Sequence, residues 1–539
     1  MSHHGYSDHK TTASNFAAKA SYFEKKLAEL HALREKRLEL GASAGISQEI
    51  IAAEIAAIDA KISEIVKEVE GGEQNTGRDD YYFRSGNDTL ASGITGGMAD
   101  KLGLGSQTKA GDYMALFRGI NPRTGELFVP PARAKQIGAA IEKAEKERKR
   151  SVAGDRKGDR LTRAQRREAQ KGEKSVNLGY SSCVSLQKSL SMVWVVASDE
   201  ERKEIEQAFM DAARQALKYE EDQGYIGTRV GGLHGVGTEF VKGQGMALIY
   251  LHCTSRLAPG ARYPDAQLHI HIERPNFVVL PDGTIQTLDA RELFARQREF
   301  GAVVDVILYE KLKKVRPDLA AAMVFDRAGH GMRLNYQSVS REEVEENSKR
   351  SQQIDKEAKK LARDGAAARQ AVATNTATFA GKKSVEIGEG LNEHWRETIG
   401  VIELHTSTAE ELKMPSLLEV QQMLFAGNSV IKQSDIDRVA AQLLAGNGGI
   451  ERLEQVKNEI FRQIGLIKIP GTVDSEGNRS PERFTTQEMI DIESDCLKAV
   501  YAGLNDQRWT LPKSAIAAAI EQHQNDKRAL QKPGAKPFT

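Results

Sequence analysis

The chain has 539 residues, enough for two to four domains and at least one sizeable core. Charged residues at 28% and hydrophobic ones at 40% are ordinary for a globular protein and exclude a collagen-like or low-complexity chain. A net charge of +1 means that any basic surface must come from uneven placement, and three cysteines are too few for a disulfide framework or a four-cysteine zinc site.

In chain order, residues 1–21 are polar and small and lack a signal-peptide core, and no later run approaches the roughly 18 apolar residues of a membrane span. A reducing, cytoplasmic setting without membrane insertion is therefore expected. From Tyr22 to Val69 the pattern is helical: Leu27, Leu30, Arg34 and Leu38 form one stripe, and Ile51, Ile55, Ile58, Ile62, Ile65 and Val69 a second. The break at Gly41–Gly45 makes the pair an αα-hairpin. A Gly/Asn/Asp-rich loop follows, then short helices over 98–140 around the turn Asn121-Pro122-Arg123-Thr124-Gly125. Residues 141–174 hold 13 Lys/Arg against 7 Asp/Glu and read as a basic arm able to lie on a phosphate backbone, or as a solvated linker.

The texture changes at residue 175. Residues 180–197 are β-like, and 199–222 form an amphipathic helix opened by Ser198-Asp199. Strands are predicted near 226–232, 246–253, 267–273 and 276–280, with the turn Pro281-Asp282-Gly283 after them and helices at 290–314. This is an α+β pattern with an antiparallel sheet. Residues 340–365 are charged and helical, and the chain from about 386 is mainly helical.

The segment richest in chemistry is Leu268-His269-Ile270-His271-Ile272. On a strand, alternation sends both imidazoles to one face and the aliphatics to the other. Tyr250-Leu251-His252 ends the preceding strand, and an antiparallel pairing could bring His252 beside the pair. Three neutral imidazoles with an open position suit a divalent ion that polarises a phosphate oxygen.

These residues also carry a resemblance. Asp265-Ala-Gln-Leu-His269-Ile-His271, with Asn276 beyond it, resembles the histidine motif of MobF-type (TrwC/TraI-like) conjugative relaxases. His252-Cys-Thr-Ser-Arg256 matches the segment carrying that family's third ligand, and Leu178-Gly179 with Ser185-Leu-Gln-Lys188-Ser189-Leu-Ser191 its strand and turn. Asp80-Tyr81-Tyr82, Gly96, Ala99-Asp-Lys-Leu102-Gly103-Leu104, Pro122-Arg123-Thr124-Gly125-Glu126, Ser348-Lys349-Arg350 and Phe484-Thr-Thr-Gln-Glu-Met489 also have counterparts, in order.

The resemblance implies a relaxase (HUH endonuclease-like) domain over 1–405, with an inserted helical hairpin at 24–70 and the basic arm at 141–174. A helical region at 406–539 would resemble the segment that precedes a helicase motor in those proteins. It implies site- and strand-specific nicking of a plasmid transfer origin, in which a tyrosine attacks the phosphodiester and stays on the 5′ phosphate. Tyr22 fits the leading tyrosine of the family's first pair, and Tyr81 and Tyr82 the second. His252, His269 and His271 would hold a divalent metal ion (Mg, Mn or Zn). Lys188, Arg123, Arg148, Lys149 and Arg150 are candidates for DNA contact. Implied partners are single-stranded and origin DNA, conjugation accessory proteins, a coupling protein and a type IV secretion system, with translocation to the recipient cell along with DNA.

Two departures stand out. Ser181 occupies the place of a family aspartate and cannot act as a general base near neutral pH, so Asp265 or Glu273 would have to substitute, or the rate would suffer. No G-x-x-x-x-G-K-[ST] loop occurs, since Gly381-Lys382-Lys383-Ser384 has no glycine at 376; no helicase or ATPase activity is expected, and a separate helicase is an expected partner. The competing readings are a non-catalytic or weakly active DNA-binding transfer protein that kept the fold, and a rolling-circle replication initiator. Such initiators usually place tyrosine after the histidines, which opposes the latter.

Overall fold

The computed structural model describes residues 7–12, 89–109, 111–152, 176–231, 239–255, 257–258, 261–328, 331–336, 338–360, 390–402, 415–425, 428–472, 480–504 and 513–529. Its centre is a five-stranded antiparallel sheet built from β1 (Ser7–Thr12), β2 (Thr89–Thr95), β3 (Asn177–Ser185), β6 (Ala247–Thr254) and β7 (Ala266–Pro275), in the order β1-β3-β7-β6-β2. A small hairpin of β4 (Gly227–Val230) and β5 (Glu239–Lys242) stands apart from it. The α+β antiparallel architecture expected from the sequence is the one the chain adopts.

The two faces of the sheet carry different cores. Val184, Ile249, Leu251, Leu268, Ile270 and Ile272 pack against the helices Lys188–Val196, Asp199–Asp222 and Gln297–Val315. At roughly 1.5–3 kcal/mol for each large aliphatic side chain withdrawn from water, this layer is the main cohesive term. The same apolar cluster runs on through Val420, Leu424, Ile436, Val439 and Leu443 of the helices Leu417–Phe425 and Gln433–Leu444. On the opposite face Ile94, Leu248 and Tyr250 meet Met98, Tyr113, Phe117 and Ile137 in a second core. Gly179 lets the layers meet: a Cβ there would lie 2.3 Å from Arg274 O and 2.5 Å from the Phe117 ring. Gly96, at φ 113°, starts a short helix against Gly245.

Helix starts follow local rules. Ser198 and Ser340 each form a capping box, with Glu201 and Glu343 respectively. Elsewhere the chain departs from its sequence pattern. Residues 188–196, expected to be β-like, form a helix, because every side chain from Lys188 to Val195 is buried and an apolar run has no period to declare. β1 arises from a segment read as polar, and β2 from residues without a predicted element, just after the loop patch. They are the outer strands of the sheet, where pairing needs only backbone groups. The hairpin Met323–Ala328/Gly331–Tyr336 and the three short strands Ile431–Lys432, Arg483–Thr485 and Ile467–Ile469 were also not expected, being six residues or fewer, too short for a period to stand out from its surroundings. The inserted hairpin at 24–70 lies outside the described residues, and the basic arm is described only to residue 152, as the end of the helix Pro131–Val152.

A buried charge cluster ties the later helices to this body. Arg296 Nη1 meets Glu299 Oε2 at 2.6 Å and Asp437 Oδ2 at 2.8 Å, while Lys457 Nζ reaches Asp437 Oδ1 at 3.0 Å. The Tyr219 and Tyr225 hydroxyls both donate to Glu299 Oε1, each at 3.0 Å. Among the described residues, no helix is long and apolar enough to cross a membrane.

Candidate metal centre

β7 alternates as its sequence requires: Leu268, Ile270 and Ile272 face the helical layer, and Gln267, His269, His271 and Glu273 face the other way. Register then decides the neighbours. On β6, His252 lies opposite His269, and Tyr250 opposite His271; on β3, Ser185, Cys183 and Ser181 lie opposite His269, His271 and Glu273. Because directly paired residues share a face, one patch collects all of these side chains.

The three histidines come together as the sequence suggested. Ring centroids are 4.8 Å apart for His269 and His271, 4.9 Å for His252 and His271, and 5.4 Å for His252 and His269. All three are buried, His252 completely. His269 Nδ1 lies 2.9 Å from the Gln267 carbonyl oxygen, which can only accept. That contact places the proton on Nδ1 and leaves Nε2 with its lone pair, the tautomer a metal-bound imidazole needs. His269 Nε2 and His271 Nε2 stand 3.1 Å apart, and the Thr89 hydroxyl lies 3.2 Å from His252 Nε2. Sequence reasoning missed Cys183: its Sγ and one ring nitrogen each of His269 and His271 lie within 4.8 Å of one another. Nothing in the spacing along the chain signals that approach; it depends on the β3–β7 register.

The carboxylate question also resolves by register. Ser181 donates its hydroxyl to Glu273 Oε1 at 2.7 Å, and Glu273 is fully buried on the histidine face. Its Oε2 has no hydrogen-bond partner among the described residues. Asp265, the other candidate, sits at the start of β7 and accepts from the Lys349 amide at 2.9 Å, with Lys349 Nζ at 3.5 Å. A carboxylate therefore borders the histidines beside Ser181, contributed by the neighbouring strand. Tyr250 shares the patch, but burial and then the nearby Glu273 push its phenol well above 10, which keeps it protonated and a poor nucleophile.

The remaining candidates fare differently. Tyr22, Tyr81 and Tyr82 lie outside the described residues. Lys188, expected in a turn that could meet phosphate, begins a helix instead. It is 5% exposed and donates to Ala266 O at 2.6 Å, because the following apolar run draws its stem into the core. Arg123 directs its guanidinium inward, with Nη1 at 2.6 Å and Nη2 at 2.8 Å from the Asp112 carboxylate, and Nη2 at 3.2 Å from Leu104 O. Both cations are engaged in holding the fold. Arg148, Lys149 and Arg150 fall in the last two turns of the helix Pro131–Val152.

Comparison with known proteins adds the following. No curated protein matches the chain. A metal-free structure of the conjugative relaxase TrwC in complex with oriT DNA is 22% identical, covering 57% of this chain and 89% of that one, with a TM-score of 0.41. A metal-bound structure of that complex is 23% identical over 57% and 88%, with a TM-score of 0.40. TrwC complexed with a 27-mer DNA comprising the recognition hairpin and the cleavage site is 23% identical over 58% and 93%, with a TM-score of 0.41. The model of the TrwC relaxase matches residues 63–401, a span that holds β2, β3, β6 and β7 with all three histidines. By that match, over more than half its length, the chain belongs to the TrwC relaxase family.

Proposed function

We propose that this protein nicks one strand of a plasmid transfer origin by tyrosine attack, forming a 5′-phosphotyrosyl intermediate, and that His252, His269 and His271 hold the divalent ion of that reaction. The observation that carries the reading is the convergence of three buried imidazoles from two paired strands, within a chain of the TrwC relaxase family. An ion held there supplies a Lewis acid that polarises a non-bridging phosphate oxygen. The protein supplies orientation. The Gln267 carbonyl fixes the His269 tautomer, and the aliphatic side of β7, locked in the core, fixes where both imidazoles point.

The nucleophile falls to Tyr22, Tyr81 or Tyr82. The phenol oxygen bonds to phosphorus as the bond to the 3′ oxygen breaks; the phenol gives up its proton, and the departing 3′ oxygen takes one. General-base assistance in such a step is worth roughly 10²–10⁴ in rate. Glu273 is the carboxylate this chain places on the histidine face, beside Ser181. The reading brings with it single-stranded origin DNA as substrate, and the coupling protein, accessory proteins and type IV secretion system of conjugation as partners.

The test is incubation of the full chain with single-stranded origin oligonucleotides and Mn²⁺, Mg²⁺ or Zn²⁺, followed by a denaturing gel. A protein–DNA adduct is expected, lost in Tyr22→Phe or in Tyr81→Phe/Tyr82→Phe, and lost in His271→Ala. Binding without any adduct, under every metal, would overturn the proposal.

A further inference from the structure

The centre offers one donor beyond the three histidines. Cys183 lies on β3 directly opposite His271, on the face that carries the imidazoles. Because β3 and β6 flank β7 on opposite sides, Cys183 and His252 approach the His269–His271 pair from opposite directions. The sulfur and the two ring nitrogens already lie within 4.8 Å of one another, and the two Nε2 atoms stand 3.1 Å apart. Donor atoms of a tetrahedral zinc site, with metal–nitrogen distances of ~2.0–2.1 Å and metal–sulfur of ~2.3 Å, stand about 3.3–3.6 Å apart. Bringing the sulfur and the two nitrogens to that spacing asks for side-chain rotation over about an ångström, with the strands left where they are, while His252 stands outside this trio and joins it through its own ring, 4.9 Å centre to centre from His271. The neighbouring thiol is no rival: Cys253 follows His252 in sequence, and alternation sends it to the helical core.

Resting on the histidine centre proposed above, we infer that Cys183 is a fourth protein donor to it, giving an S,N site for a thiophilic divalent cation of the Zn²⁺ class, at which the phosphate oxygen would enter as a fifth ligand, a coordination number that catalytic zinc reaches. A hard ion such as Mg²⁺, which favours an all-oxygen shell, is disfavoured there. Sulfur binds as thiolate, so its proton passes to solvent as the metal–sulfur bond forms.

Titration of the metal-free full chain with Co²⁺, followed by absorption spectroscopy, tests the assignment. The expected result is a set of ligand-field bands together with a near-ultraviolet thiolate-to-cobalt charge-transfer band. Cys183→Ser and Cys183→Ala should lose the charge-transfer band and keep the ligand-field bands. Their Zn²⁺ affinity, by competition with a chromophoric chelator, should fall by roughly 10–100-fold or more, at least what loss of an outer-shell partner costs. Ligand-field bands without charge transfer in the unmodified chain, or charge transfer that survives both substitutions, overturn the role of Cys183 and leave the histidine centre standing. Absence of Co²⁺ and Zn²⁺ binding in the unmodified chain overturns both. Cys496→Ser, at an exposed thiol, should keep the band, and loss of the band there would overturn the assignment even if neither Cys183 variant folds.

Discussion

Two buried polar clusters in this molecule are built on opposite principles. Around Arg296, each charge faces its opposite: Glu299 and Asp437 flank the guanidinium, Lys457 balances the far side of Asp437, and two tyrosine hydroxyls complete Glu299. On one face of the sheet, three imidazole rings lie within 5.4 Å of one another centre to centre, a thiol lies beside two of them, and Glu273 accepts from Ser181. The first cluster pairs its charges within the protein and joins two helices through Arg296 and Asp437, 141 residues apart in the chain. The second collects nitrogen and sulfur donors from three adjacent strands on one face of the sheet. Desolvated charges that are paired hold a fold; nitrogen and sulfur donors brought side by side are what the proposed cation would use.

The difference can be broken from either side. The largest effect is expected at the charge cluster. Glu299→Ala leaves Arg296 with Asp437 and the more exposed Glu292 and removes the shared acceptor of both tyrosine hydroxyls, so urea unfolding should show a loss of about 3–5 kcal/mol. A loss below 1 kcal/mol would mean that the cluster is solvated and unimportant. His271→Ala should leave the stability of the metal-free protein far less affected than Glu299→Ala does.

Next comes Lys188, whose burial lowers its ammonium to about 8, Asp265 opposing the shift and Lys349 adding to it. Between about 8 and the ordinary 10.5 the unfolded chain binds the extra proton, so stability should rise with pH through that window. Below it the cost of burying the charge is present in full, on the order of 3 kcal/mol. Lys188→Met should flatten the rise between pH 7.5 and 10 in denaturant titrations; identical slopes in the two proteins would refute it.

Ion binding sharpens the contrast from the other side. At Zn²⁺ concentrations near 100 times the dissociation constant, the folded state should gain about 2.7 kcal/mol. Thermal unfolding should register that gain in the unmodified protein and in Glu299→Gln, but not in His271→Ala. A gain that survives His271→Ala would place the ion elsewhere. The smallest effect is expected for Ser181→Ala, which removes the hydroxyl donor from a fully buried carboxyl and should cost ~1–3 kcal/mol in denaturant unfolding. No loss would show that water replaces the hydroxyl.

How far the site was legible follows from the range of each interaction. The alternation in Leu268-His269-Ile270-His271-Ile272 needs only the two-residue period of a strand, and it placed the imidazoles on one face. The caps at Ser198 and Ser340 are equally local, because serine and the glutamate three residues on satisfy each other's backbone. Lys188 misled, because a lysine beside a small polar run looks exposed until the helix that follows pulls it under. The departure at Ser181 suggested a missing carboxylate; the paired strand supplies one at Glu273, a neighbour 92 residues away.

The amino-acid sequence by itself determined the α+β class, the family motifs in their order, and the identity of three converging histidines. These depend on periodicity and residue type, which the chain carries locally. Only the tertiary structure decided that Cys183, Ser181 and Glu273 belong to the same patch, that 188–196 is helical, and that Ser7–Thr12 and Thr89–Thr95 serve as the sheet's outer strands. Those outcomes depend on strand register and on burial from all sides, and both are set by contacts between residues far apart in the chain.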